Sequence, residues 1–416
     1  MNAERESSQT WKIAIVGAGL SGRLAALALL RQGFEVALYD VGQLHLTAPG
    51  GPAALPDPRT TALSPPSVEL LIDLDLWDQL EAMAQPVGTM MVGSGESLAR
   101  AWQNPQNMLR LSHQDTPHPA LVHIVKNRDL GQVIDQALAK QSGLSLHGQA
   151  GDIAIEHSGS QVVVRAANEG SGASLSYDLV IGADGRNSMI QKRYFDNRAL
   201  RLDYQQAAFV CELVHRQPLG ELAVQVFLPQ GPLALLPLMP DEQGLARTSL
   251  IWSAQTDFVQ ALKGLDREAL KARLQERLGD ILGHVEQVDA VGSFPLQAHL
   301  ASQFVKDRMV IIGDAAHGIH PLAGQGLNLA IGDIESLARH LLNARLLGLE
   351  LNPALVLAEF ERERRAHAKR LLAVTDGLNR LFSGGPGLLR QLAGAAMTAV
   401  GQLPGGGANV IRLALS

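Results

Sequence analysis

Residues 12–17 form a short apolar run that ends in glycine, the pattern of a strand buried on both faces of a parallel sheet. Residues 20–32 change to helical spacing, with Leu24, Leu27, Ala28 and Leu30 on one side and Gly33 at the end. Residues 34–40 read as the next strand, which completes one βαβ half. Residues 41–66, rich in Gly, Pro and Ala, predict a loop. Helical spacing returns at 67–84, a weakly patterned, loop-rich stretch follows, and 127–140 predict another helix. Residues 151–181 predict a β-meander with a turn at 168–174, ending in the buried strand 178–181.

The pattern changes at 200–295. Alternating segments such as Ala223–Leu228 and Thr248–Trp252 predict antiparallel strands, and 255–282 predict one or two helices. Residues 304–313 return to a buried strand, 326–346 predict a long helix, and 354–416 look mostly helical, with Gly and Pro breaks at 384–387 and 404–407. The expected class is therefore α/β with an α+β insert. A discontinuous Rossmann-like domain (1–185 and 295–375) holds an inserted, mostly antiparallel sheet domain (186–294), and a helical region (376–416) follows. No repeat of solenoid period is present.

Bulk properties narrow the class. A chain of 416 residues, 46% apolar and 18% charged, has the composition of a globule with two domains. A net charge of −6 argues against a nucleic-acid binder, which needs a basic face. Cys211 is the single cysteine, so no internal disulfide forms, in keeping with a reducing, cytoplasmic setting. The first ten residues lack the basic start and apolar run of a signal peptide, and no stretch approaches the roughly 20 apolar residues of a membrane span.

Three motifs carry chemistry. Gly17, Gly19 and Gly22 lie between the first strand and its helix. In that position the first allows a tight turn, the second lets backbone approach a pyrophosphate, and the third lets helix pack on strand. Asp40 closes the next strand, placed to accept hydrogen bonds from ribose hydroxyls. The second motif, Gly182-Ala183-Asp184-Gly185-Arg186-Asn187-Ser188, follows another strand and by itself reads as a turn. The third runs from Arg308 to Asp333. A buried run ends at Gly313-Asp314, then Pro321, Gly324 and Gly326 shape a turn before a helix. A carboxylate for a ribose-like hydroxyl and a helix N-terminus for an anion or electron-rich ring explain this layout. Two segments far apart in the chain thus converge on one dinucleotide.

In this order and spacing the motifs resemble the single-component FAD-dependent aromatic hydroxylases of the para-hydroxybenzoate hydroxylase type. Asp57-Pro58-Arg59-Thr60-Thr61-Ala62-Leu63-Ser64, Gly231–Leu238, Phe294-Pro295-Leu296 and Asp314–Asn328 are similar to the ubiquinone-biosynthesis hydroxylases among them. The resemblance implies that Gly17, Gly19 and Gly22 meet the FAD pyrophosphate and Asp40 the adenosine ribose. Arg59 and Asn127 take positions that contact the cofactor. Gly313 and Asp314 hold the ribityl or pyrophosphate region, and the backbone of Pro321, Gly324, Gly326, Leu327 and Asn328 faces the flavin pyrimidine edge. Asp184 and its turn serve FAD and NAD(P)H. Gln191 stands where the family usually has arginine, and Lys192 and Arg193 are offered as substitutes for its charge. The implied reaction hydroxylates a polyprenyl phenol with NAD(P)H and O2. It also implies a peripheral contact with the inner membrane and a place in a biosynthetic complex. No catalytic side chain is assigned.

Other residues receive plainer readings. His317 and His320 lie in the third motif without a carboxylate or cysteine to complete a metal set, so a structural role is expected. Cys211 reads as core, and Arg362-Glu363-Arg364-Arg365 as a solvated helix face. The apolar stretch 388–415 packs on the body or lies on a membrane. Rival functions are another flavin enzyme, such as a polyprenyl reductase, or a flavin-bearing accessory subunit. A halogenase is disfavoured because Trp11, Trp77, Trp102 and Trp252 are isolated.

Overall fold

The computed structural model describes residues 11–44, 46, 57–168, 174–195, 198–320 and 324–383. Pro321 and the stretch 384–416 lie outside the described residues.

The apolar runs make a six-stranded sheet. Its order is Val305–Lys306, Met309–Ile311, Leu179–Gly182, Lys12–Val16, Glu35–Tyr39 and Leu144–His147. All neighbours pair in parallel except the edge hairpin Val305–Lys306/Met309–Ile311. That hairpin divides what the sequence predicts as one strand, and Asp307 takes a left-handed φ of 51° at its turn. Ile13, Ile15, Leu38, Val180 and Ile181 are fully shielded, which is why these runs are continuously apolar. Helices Leu20–Arg31 and Gly326–Leu346 pack against each other. The meander appears as a separate antiparallel sheet of Ile153–Ser158, Gln161–Ala166 and Ser174–Tyr177.

The second unit is an eight-stranded sheet. Its order is His317–Gly318, Val285–Leu300, Leu200–His215, Ala246–Gln255, Gly231–Leu238, Leu222–Leu228, Thr89–Ser94 and Leu109–Ser112. It is antiparallel except where Leu222–Leu228 meets Thr89–Ser94. One face carries Phe209, Cys211, Leu213, Leu233, Leu235, Leu250 and Trp252. These pack with helices Thr256–Lys263 and Arg267–Leu278 into a separate core. Each such side chain stabilises the fold by about 1.5–3 kcal/mol. The opposite face carries a smaller cluster of Ala208, Val210, Ile251, Phe294 and Leu296.

Several local expectations change. Residues 60–63 are a strand and not loop, pairing with Val122–Lys126 (Thr61 opposite Val125). The weakly patterned stretch after 84 holds four strands, two of which join the large sheet. These strands are short, three to six residues each, and carry little period-2 signal. The helix predicted at 67–84 is two, Pro65–Asp73 and Trp77–Glu81, broken where Asp75 takes φ 52°. The final helix runs without a break from Ala358 to Ser383.

Candidate functional site

The dinucleotide fingerprint is built from forced close contacts. Gly17 has φ 106°, and a Cβ there would lie 2.4 Å from the Ala183 carbonyl oxygen. A Cβ on Gly22 would lie 1.8 Å from the Gly17 oxygen, so only glycine lets the helix approach the strand this closely. Gly19 is different: nothing lies within 4 Å of its Cβ position. Helix Leu20–Arg31 starts there with no side-chain cap and no acidic residue in its first turn. Its first N–H groups therefore have no side-chain cap, an arrangement that suits an anion. Asp40 Oδ2 accepts the Ala18 N–H (2.7 Å) and Oδ1 the Gly42 N–H (2.7 Å). The carboxylate thus closes the fingerprint loop and keeps further lone pairs.

The third motif meets the first. Gly313, at φ 56°, begins the turn Gly313–Ala315, and a Cβ there would sit 3.2 Å from Ser21 Oγ. Asp314 next to it is 46% exposed, 3.8 Å from Arg186, while its carbonyl oxygen accepts from His299 Nε2 (2.9 Å). Burial pushes the His299 pKa down to about 4, against the pull of Asp314, so the ring is neutral and donates from Nε2. Arg59 binds Asp57 through Nε and lies over the Phe294 ring at 5.1 Å. The Asp57 hydrogen bond chiefly, and the field of Asp314, raise the Arg59 pKa. Burial alone would raise the Asp57 carboxyl, and Arg59 outweighs it. Arg186 donates to the Pro295 carbonyl (2.6 Å). Arg59, Asp314 and Arg186 therefore gather where the two sheets meet.

Helix Gly326–Leu346 also starts without a side-chain cap or an acidic first turn, and nothing lies within 4 Å of a Cβ at Gly326. Gly324 (φ 67°) lies against Ala62, whose N is 3.4 Å from its Cβ position. Asn328 is saturated by structural bonds: Oδ1 accepts from Ser64 N–H (3.1 Å) and Ser67 Oγ (2.8 Å), and Nδ2 donates to Ala62 O (2.7 Å). Leu327 is half-buried against the main core. Asn127 Oδ1 accepts from Thr61 Oγ1 (2.7 Å), which ties the helix Asn127–Leu138 to the strand Thr60–Leu63. Asp184 Oδ2 caps the helix Met189–Tyr194 through the Met189 and Ile190 N–H groups (2.7 and 3.1 Å), and its buried Oδ1 has no partner. Arg193 is held by Asp152 and the Ile153 carbonyl, and the guanidinium that reaches Gln191 Oε1 is that of Arg201 (3.1 Å).

A small apolar cavity of about 30 Å³ lies between the large sheet and the Gly324 turn. Its walls include Ala62, Met90, Ala223, Ala234, Leu236 and Ile251, with Gln225 and Ser253 the polar side chains. Among the described residues no group of three or more His, Cys, Asp or Glu is placed to hold a metal ion. His317 and His320 are both buried. Cys211 is core, its thiol pKa pushed up by burial.

Sequence reasoning missed a buried cluster. Arg364 is not on a solvated face: it is 8% exposed and donates Nε to Asp333 Oδ1 (2.9 Å). Asp333 is fully buried and also accepts from His317 Nε2 (2.5 Å) and the Gly313 N–H (3.0 Å). A carboxylate on the same helical stripe as Leu329 and Leu337 was the available signal.

Residues 10–375 match the family model described as FAD binding domain. Ubiquinone hydroxylase UbiL of Rhodospirillum rubrum is 34% identical over 372 residues, covering 89% of this chain and 81% of that protein. The chain belongs to the FAD-dependent hydroxylases of ubiquinone biosynthesis. The 3-demethoxyubiquinol 3-hydroxylase of Escherichia coli is 31% identical, covering 86% of the hydroxylase and 87% of its relative. The fold recurs in the crystal structure of p-nitrophenol 4-monooxygenase PnpA from Pseudomonas putida DLL-E4. That likeness has a TM-score of 0.75 at 19% identity and covers 97% of both chains. Klebsiella pneumoniae HpxO complexed with FAD and uric acid gives 0.71 at 17% identity, covering 97% of the hydroxylase and 95% of HpxO. These two likenesses concern the fold.

The hydroxylase is an FAD-dependent monooxygenase, of a class that typically takes NAD(P)H as co-substrate. Its residues fit the dinucleotide: two uncapped helix N-termini and a glycine cradle left open at Gly19 offer donors to an anion. Among the described residues no helix is long and apolar enough to cross a membrane.

Proposed function

We propose that the hydroxylase adds oxygen to the aromatic ring of a polyprenyl phenol, and that the ring seats against the apolar lining between the large sheet and the Gly324 turn, widening the small cavity there. The cavity carries this reading. Its wall is apolar apart from Gln225 and Ser253, as suits a ring with a hydrocarbon tail and a few oxygens. FAD, once reduced by NAD(P)H, supplies the oxygen-transfer chemistry with O2. The chain supplies placement.

In this reading Gly17, Gly19 and Gly22 bring backbone N–H groups to the pyrophosphate, and the free lone pairs of Asp40 receive the ribose. Gly313 and Asp314 serve the ribityl region. Gly324, Gly326 and Leu327 present backbone to the flavin ring, with Asn328 fixing their turn through Ala62 and Ser64. Arg59 contributes charge beside Asp314, Asn127 acts through Thr61, and Asp184 closes the turn that contains Arg186. Arg201, beside Gln191, is the cation offered to NAD(P)H. The division 1–185, 186–294, 295–375 and 376–416 belongs to this proposal, although the strand Val285–Leu300 carries the substrate sheet past 294 and the helix Ala358–Ser383 crosses 375/376; Thr89–Ser94 and Leu109–Ser112 complete the substrate sheet. So do a peripheral membrane contact and a biosynthetic complex, since a prenylated ring partitions into lipid.

The purified protein is expected to be yellow, and its flavin to be bleached by NADH or NADPH in stopped-flow mixing. A protein that neither carries nor binds added FAD contradicts the site. A flavin that neither nucleotide reduces, even with a prenylated phenol present, contradicts the cycle and favours a subunit reduced by a partner.

A further inference from the structure

The buried group Asp333–His317–Arg364 lies outside the roles assigned above. Its geometry, with that of His299, converges on the two peptide units that flank the Gly313–Asp314 bond. Asp333 Oδ2 accepts the Gly313 N–H, and His299 donates to the Asp314 carbonyl, so Asp314 is held from the long helix on one side and from the large sheet on the other. His317 must carry its proton on Nε2, because an ionised carboxylate only accepts. Burial would raise the Asp333 carboxyl, but His317 and Arg364 hold it below its usual range, so it is charged. The Arg364 guanidinium also donates to Leu329 O (3.0 Å) and lies 2.6 Å from the Cβ position of Gly332. A glycine inside a 21-residue helix is unfavourable by itself, and here it makes room for that guanidinium.

We propose that Asp333 is a positioning residue for cofactor binding: it sets the Ile312–Gly313 peptide that leads into Asp314, with Arg364 neutralising it and His317 fixing its orientation. The inference rests on the reading of Asp314 as an FAD contact. The purely structural alternative is a buried ion pair that only stabilises the final helix.

The two roles separate in a double replacement. Asp333→Asn alone leaves Arg364 buried without its counter-charge, so both the thermal midpoint and FAD retention should fall. Asp333→Asn/Arg364→Met removes both charges at similar volume and should restore the midpoint. FAD affinity, read by flavin fluorescence on diluting the full-length holoprotein, should stay weakened by about tenfold or more. His317→Gln, which keeps the Asp333–Arg364 pair, is the second variant and should weaken FAD retention at a nearly normal midpoint. In an Asp314→Ala background, Asp333→Asn should cost less than about threefold further, because the two act along one path. Recovery of full FAD affinity together with stability in the double variant, beside a weakened Asp314→Ala, overturns this inference alone. Full affinity in Asp314→Ala overturns the site reading on which it rests.

Discussion

The side-chain amide of Asn328 donates to the carbonyl oxygen of Ala62 at 2.7 Å, across 266 residues of sequence. The same amide accepts from Ser64 N–H and Ser67 Oγ, so one side chain fastens the start of the long helix to the strand Thr60–Leu63. Asn328→Ala leaves Ala62 O and Ser64 N–H without these partners, at a cost of about 1–3 kcal/mol each where water cannot replace them. A lower thermal midpoint and faster loss of flavin are expected, both measurable on one preparation. An unchanged midpoint would show that the staple carries no stability.

The fingerprint glycines should separate fold from cofactor. Gly22→Ala places a methyl 1.8 Å from Gly17 O, so the helix must move, at roughly 1–3 kcal/mol or more. Gly19 has φ −66° and open space around its Cβ position. Gly19→Ala should therefore fold with a normal melting profile and lose FAD affinity, since the added methyl enters the space proposed for the pyrophosphate. Calorimetry and flavin titration read the two effects separately. Normal FAD affinity in Gly19→Ala would contradict that placement.

Two buried histidines give an acid dependence. Burial depresses the pKa of His299 and of His320 to about 4 in the folded state, from 6.5. The unfolded chain binds the extra protons, so this stability is present above pH 6.5 and is lost as pH falls from about 6.5 toward 4. The loss is up to roughly 3 kcal/mol per histidine. Denaturant titration across that window should show a declining stability, with a shallower slope in His320→Gln. Equal slopes in wild type and variant would rule out the contribution of His320.

The cavity should be sensitive to volume. Ala234 sits on its wall, between Gln225 and Ile251 on the neighbouring strands. Ala234→Phe fills space that the ring or its tail needs, and kcat/KM for a prenylated phenol should fall on the order of 10- to 200-fold. Flavin content should not change, because Ala234 is not among the proposed cofactor contacts. Loss of flavin with activity would mean that the cavity and the cofactor cleft are one space.

The parallel sheet and the glycine turns were legible because their signals are local. A buried strand is continuously apolar, and Gly17 and Gly22 are required by contacts that no other residue tolerates. The strand Thr60–Leu63 was not legible, since four residues after a Gly- and Pro-rich stretch carry too little period to register. Arg364 misled for a related reason. Its neighbours Arg362 and Arg365 are solvated, and the helix turns Arg364 inward to a partner 31 residues earlier. Asp184 and Asn127 were legible as positions, but their bonds within the chain appear only in three dimensions. Gln191 shows the same limit: Arg201 reaches it from the next strand and not from the adjacent residues Lys192 and Arg193.

The most direct test of the account is product analysis by mass spectrometry after aerobic turnover with NAD(P)H, using phenols that share one ring and differ in prenyl tail length. Removal of the tail's apolar area from water stabilises the complex by about 25 cal/mol per Å². The account therefore expects one added oxygen atom on the ring and a kcat/KM that rises with tail length. Equal or better turnover of a small polar phenol such as hydroxybenzoate would contradict the assignment of the cavity to a prenylated substrate.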